Sequence, residues 1–194
     1  MKLSQDAAKK GPVARYSDAH IFAAMSIIRR EGTVSRGDLA EELGLGEGST
    51  RNILNIMEGW KQITIQRRGV SLTPLGMETL DSIPMRFVNI SNPKYVKGVC
   101  QQGVLVKGMA DKIHDGMIQR DLGIRMGSDG ASVFIMKDDK IIFPKDYIVD
   151  TEDPEFAQKI RSIGIEEGDV LIIAGSEDSS VSMISAAGIG LALI

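Results

Sequence analysis

The sequence predicts an α+β fold in two units, a mostly helical first unit followed by one in which strands and helices alternate. Three observations predict it. Apolar residues recur at helical spacing through the first part of the chain and give way to short β runs beyond it. Between the two, residues 83–98 hold Pro84, Asn89, Asn92 and Pro93 and sustain no helical period, so they read as a linker with room for one strand at 86–90. Charge divides at the same place: residues 1–82 carry a net +1 and residues 83–194 a net −4. The predicted organisation is therefore 1–82, a linker at 83–98, and 99–194.

Composition excludes several classes of function. The chain has 194 residues, a formal charge of −3, 43% hydrophobic and 25% charged residues, a soluble globular balance. A single cysteine, Cys100, excludes an internal disulfide framework and an all-cysteine metal site. Two histidines, His20 and His114, leave little for a zinc enzyme or a histidine triad. The opening residues lack an apolar leader. The one long apolar run, 181–194, is 14 residues broken by Ser, Gly and Ala, too short to span a bilayer. A soluble, cytoplasmic protein with no membrane association is expected. The acidic second part repels phosphate, so any nucleic-acid contact belongs to the first.

Residues 18–30 predict a helix capped by Ser17 or Asp18, with Ile21, Met25 and Ile28 on one face. Ser35-Arg36-Gly37-Asp38 reads as a capping box for a short helix that stops at Gly44. A Leu45-Gly46 turn leads to a third helix at 47–58. There Thr50, Ile53, Leu54 and Met57 share one face, while Ser49, Arg51, Asn52 and Asn55 fall largely on the other. Two short helices around a tight glycine turn make a helix-turn-helix. Two β runs at 63–66 and 70–72 follow, joined by Arg67-Arg68-Gly69 as a hairpin tip. Thr73-Pro74 opens a closing helix with Pro in its first turn. Together these elements describe a winged helix.

The stretch 35–76, SRGDLAEELGLGEGSTRNILNIMEGWKQITIQRRGVSLTPLG, resembles the winged helix-turn-helix of prokaryotic transcription regulators. LAEELGLGEGSTRNIL and the LTPLG after the wing carry that resemblance, and Trp60 departs from it by standing where a smaller residue is commoner. The resemblance implies DNA binding, although some winged helices bind protein instead.

The residue chemistry fits DNA. Ser49, Arg51, Asn52 and Asn55 suit major-groove base edges, arginine toward guanine and asparagine toward adenine. Arg67 and Arg68 suit phosphate or the adjacent minor groove. Ser35 is chiefly a cap, and a phosphate contact from it or from Arg36 is open. Arg29-Arg30 reads as a solvated helix end that complements the dipole.

In the second part, strands are predicted at 103–107, 131–136, 140–143 and 169–174, and helices at 113–126, 154–163 and 179–192. The Asp138-Asp139 pair makes the turn between the second and third strands. A β-α-β-β-α-β order with a terminal helix predicts a ferredoxin-like α/β sandwich. Taken whole, the chain is similar to an archaeal family of winged-helix proteins with a C-terminal domain of unassigned role, through QRDLGIRMGSDGASVFIM and GDVLIIAGSEDSSVSMISAAGIGLAL.

Two places in this part are candidate ligand sites. Arg120, Asp121 and Arg125 share one helix near Asp129-Gly130, with an i,i+4 ion pair between Asp121 and Arg125 as the plain alternative. Gly175, Ser176 and Asp178 join a buried strand to the last helix, where free N–H groups suit an anion unless Asp178 simply caps the helix. No phosphate loop, nucleophile elbow, metal cluster or acid pair stands out, so neither an enzyme nor a cofactor is expected. The reading is a DNA-binding transcription regulator acting on double-stranded DNA, the 47–58 helix in the major groove. Its second domain serves homodimerisation, small-molecule effector sensing, or both. The alternative is a winged helix used as a protein-interaction module in a larger complex.

Overall fold

The computed structural model describes residues 16–144 and 146–194. The opening residues, on which the expectation of no leader rests, lie outside the described residues. The chain divides into two compact units at Ile83/Pro84.

In the first unit, α1 (Asp18–Glu31) buries Ile21, Phe22, Met25 and Ile28 completely or nearly so. Each such side chain contributes about 1.5–3 kcal/mol relative to leaving it in water. Its start is closed by a capping box with an unusual partner: the Nδ1 atom of His20 accepts from the Ser17 N–H at 3.1 Å. Gly32, at φ 73°, ends it. Ser35 caps α2 (Arg36–Glu42), its hydroxyl accepting from Asp38 N–H at 3.1 Å. α3 (Glu47–Gly59) buries Thr50, Ile53, Leu54 and Met57, the face that helical periodicity selects.

β1 (Ile63–Gln66) and β2 (Gly69–Leu72) pair antiparallel with Gln66 opposite Gly69, leaving Arg67 and Arg68 as a two-residue tip. Val34 extends this ribbon through two main-chain hydrogen bonds with Val70, at 3.0 and 2.8 Å. α4 (Pro74–Ser82) starts at the Thr73 cap and has Pro74 in its first turn. Gly76 is needed there, because a β-carbon would lie 2.0 Å from the Gln62 carbonyl oxygen.

The second unit is a six-stranded antiparallel sheet with helices. In chain order it comprises β3 (Met85–Val88), β4 (Cys100–Val106), α5 (Met117–Arg125), β5 (Gly130–Lys137), β6 (Lys140–Phe143), β7 (Tyr147–Ile148), α6 (Val149–Glu152), α7 (Pro154–Ser162), β8 (Val170–Ser176) and α8 (Ser179–Leu191). Spatially the strands run β3-β4-β8-β5-β6-β7. Every residue of β8 is buried, the pattern of a central strand covered on both faces.

Helices supply both covers. On one side, Phe156, Ala157 and Ile160 of α7 join Leu105, Phe134, Met136, Leu171 and Ile173 in one core cluster. On the other, α8 lies so close that a β-carbon on Gly190 would stand 3.2 Å from Val104 and 3.3 Å from Val106. Likewise, a β-carbon on Gly123 of α5 would stand 3.1 Å from Ala131 and 3.2 Å from Ile189.

Three expectations need correction. The ferredoxin-like order would seat the third strand of the β-α-β-β-α-β series between the first two. Here the last strand, β8, lies between β4 and β5, and helices cover both faces instead of one. The segment 84–98 is no linker, because β3 pairs with β4 from Met85↔Val106 to Val88↔Gly103, and Val88, Ile90 and Val96 enter the core. Finally, the helix expected from residue 113 starts at Met117. Gly116 sits at φ 73°, outside helical space, and a short 3-10 turn (Ala110–Lys112) occupies the preceding residues.

Candidate functional site

Arg51, Asn52 and Asn55 stand exposed on α3, opposite its buried face, with Ser49 half-buried beside them. Arg36 of α2 and Arg51 line a cleft of about 220 Å³ together with Gly37, Glu47 and Thr50. Arg67 and Arg68 are exposed at the hairpin tip. The Ser35 hydroxyl oxygen accepts from the Asp38 N–H, which leaves its O–H free to donate.

Pairing separates the arginines into two sets. Arg29 pairs with Asp81, and Arg30 pairs with Glu31 and with Glu42, both at 2.7 Å. These carboxylates hold the Arg30 guanidinium firmly charged, the hydrogen bond that Arg30 donates to Glu31 foremost. Among the described residues, the guanidinium groups of Arg36, Arg51, Arg67 and Arg68 have no carboxylate or hydrogen-bond partner. The helix end read as merely solvated is therefore neutralised by ion pairs. The four arginines on α2, α3 and the hairpin tip keep their full charge and all their donors available.

In the second unit the structure separates the first group of candidate ligand residues. Arg120 lines a cavity of about 400 Å³, whereas Asp121 and Arg125 lie exposed and do not line it. The Asp121–Arg125 ion pair does not form among the described residues. Residues that the sequence reading passed over share the cavity: Lys97 and Tyr95 from the segment before β4, Asp115 from the α5 approach, Phe143 at the end of β6 and Pro144 just after it. Its floor is the start of β5, Gly130 to Val133. No local sequence signal marks Lys97 or Tyr95, because they reach the cavity only through the pairing of β3 with β4 and of β4 with β8.

The second group is engaged internally. A β-carbon on Gly175 would lie 2.2 Å from the Lys97 carbonyl oxygen, so glycine is what lets that segment cross β8. Ser176 is buried, donates to the Asp178 carbonyl at 2.6 Å and shares a 2.9 Å contact with the Ser182 hydroxyl. Asp178 caps α8, accepting from both the N–H and the hydroxyl of Ser180 at 2.8 Å. Those two hydrogen bonds hold its carboxyl below the usual carboxylate range. The capping reading of Asp178 therefore describes what it does in the structure.

Among the described residues, no group of three or more His, Cys, Asp or Glu side chains is placed to hold a metal ion, and no helix is long and apolar enough to cross a membrane.

Comparison with known proteins follows the same two-unit chain. Residues 97–193 match the family described as "Domain of unknown function (DUF4443)". A solved structure, "Hypothetical protein PH0730 from Pyrococcus horikoshii OT3", is similar with a TM-score of 0.76 and 26% identity, over 92% of this chain and 93% of that one. Both findings fit an archaeal family. No curated protein matches the chain.

Proposed function

From the premise that the chain belongs to the DUF4443 family, whose description assigns no role, we propose that it is a sequence-specific DNA-binding transcription regulator. In this reading the first unit is a winged helix. α2 and α3 form the helix-turn-helix, the β1–β2 hairpin extended by Val34 forms the wing, and α4 closes the unit. α3 enters the major groove with Arg51, Asn52 and Asn55 at base edges, and Arg67 and Arg68 contact backbone or minor groove.

One observation carries the reading: Arg36, Arg51, Arg67 and Arg68 stay unpaired while Arg29 and Arg30 are neutralised by carboxylates. Unpaired guanidinium groups are the residues that phosphate and guanine recognise. The second unit serves dimerisation or effector sensing, since one winged helix reads few base pairs and a two-fold site doubles them.

The test is a salt titration of full-length protein against random duplex, followed by selection of preferred duplexes from a random pool. Phosphate contacts require log K to fall steeply with log salt, by roughly 0.9 per contact on duplex DNA. A flat response overturns DNA binding and favours the protein-docking alternative.

A further inference from the structure

We infer that the cavity at the outer edge of β5 binds a small zwitterion, an α-amino acid with an apolar side chain. The inference goes beyond the DNA-binding reading and stands whether or not that reading holds.

The cavity exists because β5 outruns its neighbour. β5 pairs with β8 from Gly130 to Ile135, but with β6 only from Ile135 to Lys137. Lys137 and Lys140 close a two-residue hairpin, so the residues of β5 that bond toward β6 are 135 and 137. By the same alternation Ala131 and Val133 turn their main-chain groups the same way, past the last paired residue of β6. An added strand would need the edge to run on. It does not, because Gly116 and Pro144 close in at Val133: a β-carbon on Gly116 would stand 3.4 Å from Pro144 and 3.8 Å from Val133. What remains is a half-open cleft of about 400 Å³, a usual size for a small-molecule pocket.

Its charges name the ligand. Lys97 and Arg120 bring two cations, Asp115 and Asp129 two carboxylates. Among the described residues none of the four side chains pairs with another, and of the four only the Asp115 carboxylate has a hydrogen bond, accepted from the Met117 N–H at 2.9 Å. Four opposite charges lining one cavity without an ion pair are complemented by a molecule that carries both signs. The ligand carboxylate faces Arg120 and Lys97, its ammonium faces Asp129 and Asp115, and its side chain meets Phe143 and Pro144. A simple anion would leave the carboxylates opposed, and a simple amine would leave the cations opposed.

The test is calorimetric titration of the full chain with L-phenylalanine and L-leucine, beside hydrocinnamate, which lacks the ammonium, and phenethylamine, which lacks the carboxylate. The amino acids are expected to bind, with each one-charge analogue at least about tenfold weaker, the usual weight of a charged hydrogen bond. Arg120→Ala and Asp129→Asn, both at exposed positions that leave the fold intact by circular dichroism, should each weaken phenylalanine by a similar factor. The main-chain amide resonances of Ala131 and Val133 should shift on binding. The proposal is overturned if neither amino acid binds, if either analogue binds as tightly as phenylalanine, or if both variants bind it unchanged.

Discussion

The Ser132 hydroxyl donates to the Tyr95 carbonyl oxygen at 2.6 Å, tying the floor of the β5 cavity to its wall. The side chain of the same tyrosine anchors the wall further. The Tyr95 ring stacks on Phe156 at 5.2 Å between centroids and meets Phe134 edge-on at 5.3 Å, while its hydroxyl donates to Asp153 at 3.2 Å. Asp153 also caps α7 and accepts from Lys94 at 3.0 Å, which holds its carboxyl below the ordinary carboxylate range. Lys97 is therefore presented by a segment fixed at both hydroxyl and carbonyl of Tyr95.

Ser132→Ala should lower stability by about 1 kcal/mol, because the part-buried Tyr95 carbonyl loses its donor. Urea denaturation measures the change. An unchanged midpoint would mean that water replaces the hydroxyl and that the wall is not held by this bond.

Gly76→Ala should destabilise the first unit by about 1–3 kcal/mol, since the new β-carbon meets the Gln62 main chain instead of a side chain able to move. Gly48→Ala is the control. Nothing lies within 4 Å of a β-carbon there, and alanine should stabilise α3 by up to about 1 kcal/mol. Thermal melts of the two variants should shift in opposite directions.

Acidification should weaken the first unit through His20. Burial disfavours the imidazolium and lowers the folded pKa, while the neutral ring accepts from the Ser17 N–H. The stability this contributes is present above the unfolded value of about 6.5 and is lost as pH falls from there through the lower folded value. His20→Gln should flatten that part of the melting-temperature profile, and an identical profile in the variant would sink the assignment.

On duplex DNA, two pairs of substitutions should separate. Arg51→Ala with Asn55→Ala relaxes selectivity at particular base pairs, each bidentate contact being worth about 1–3 kcal/mol. Arg67→Ala with Arg68→Ala weakens every duplex alike and reduces the salt slope by about one unit per lost phosphate contact. Equal selectivity in the first pair, or an unchanged slope in the second, removes that surface from the interface.

Residues 84–194 should fold when expressed alone, because the division at Ile83/Pro84 leaves the whole sheet and both helical covers in one piece. A fragment begun at residue 99 should be less stable, since it lacks β3 and the core side chains Val88, Ile90 and Val96. Circular dichroism melts compare the two directly. Equal stability would restore 83–98 as a linker.

Local chemistry made most elements of the first unit legible in the sequence. Ser35 and Thr73 cap their helices, Pro74 sits in the first turn of α4, and the apolar stripe Thr50, Ile53, Leu54 and Met57 is the buried face of α3. Asp138 and Asp139 likewise form their turn, both at positive φ. Each signal lies within a few residues of the structure it specifies. Cavity chemistry was legible at Arg120 and Asp129-Gly130 but not at Lys97, which shares the cavity with them from a segment far away in the chain.

By itself, then, the sequence determined hairpin turns, buried faces and the helix ends that carry a local cap, which depend on chemistry or spacing within one segment, whereas the start of α5 escaped it. Tertiary structure alone decided that β8 lies between β4 and β5, that 84–98 joins the sheet, and that four unpaired charges line one cavity. The physical reason is that alternation along a strand is the same whichever neighbour the strand takes. Only the packing of α7 on one face and α5 with α8 on the other selects a single order.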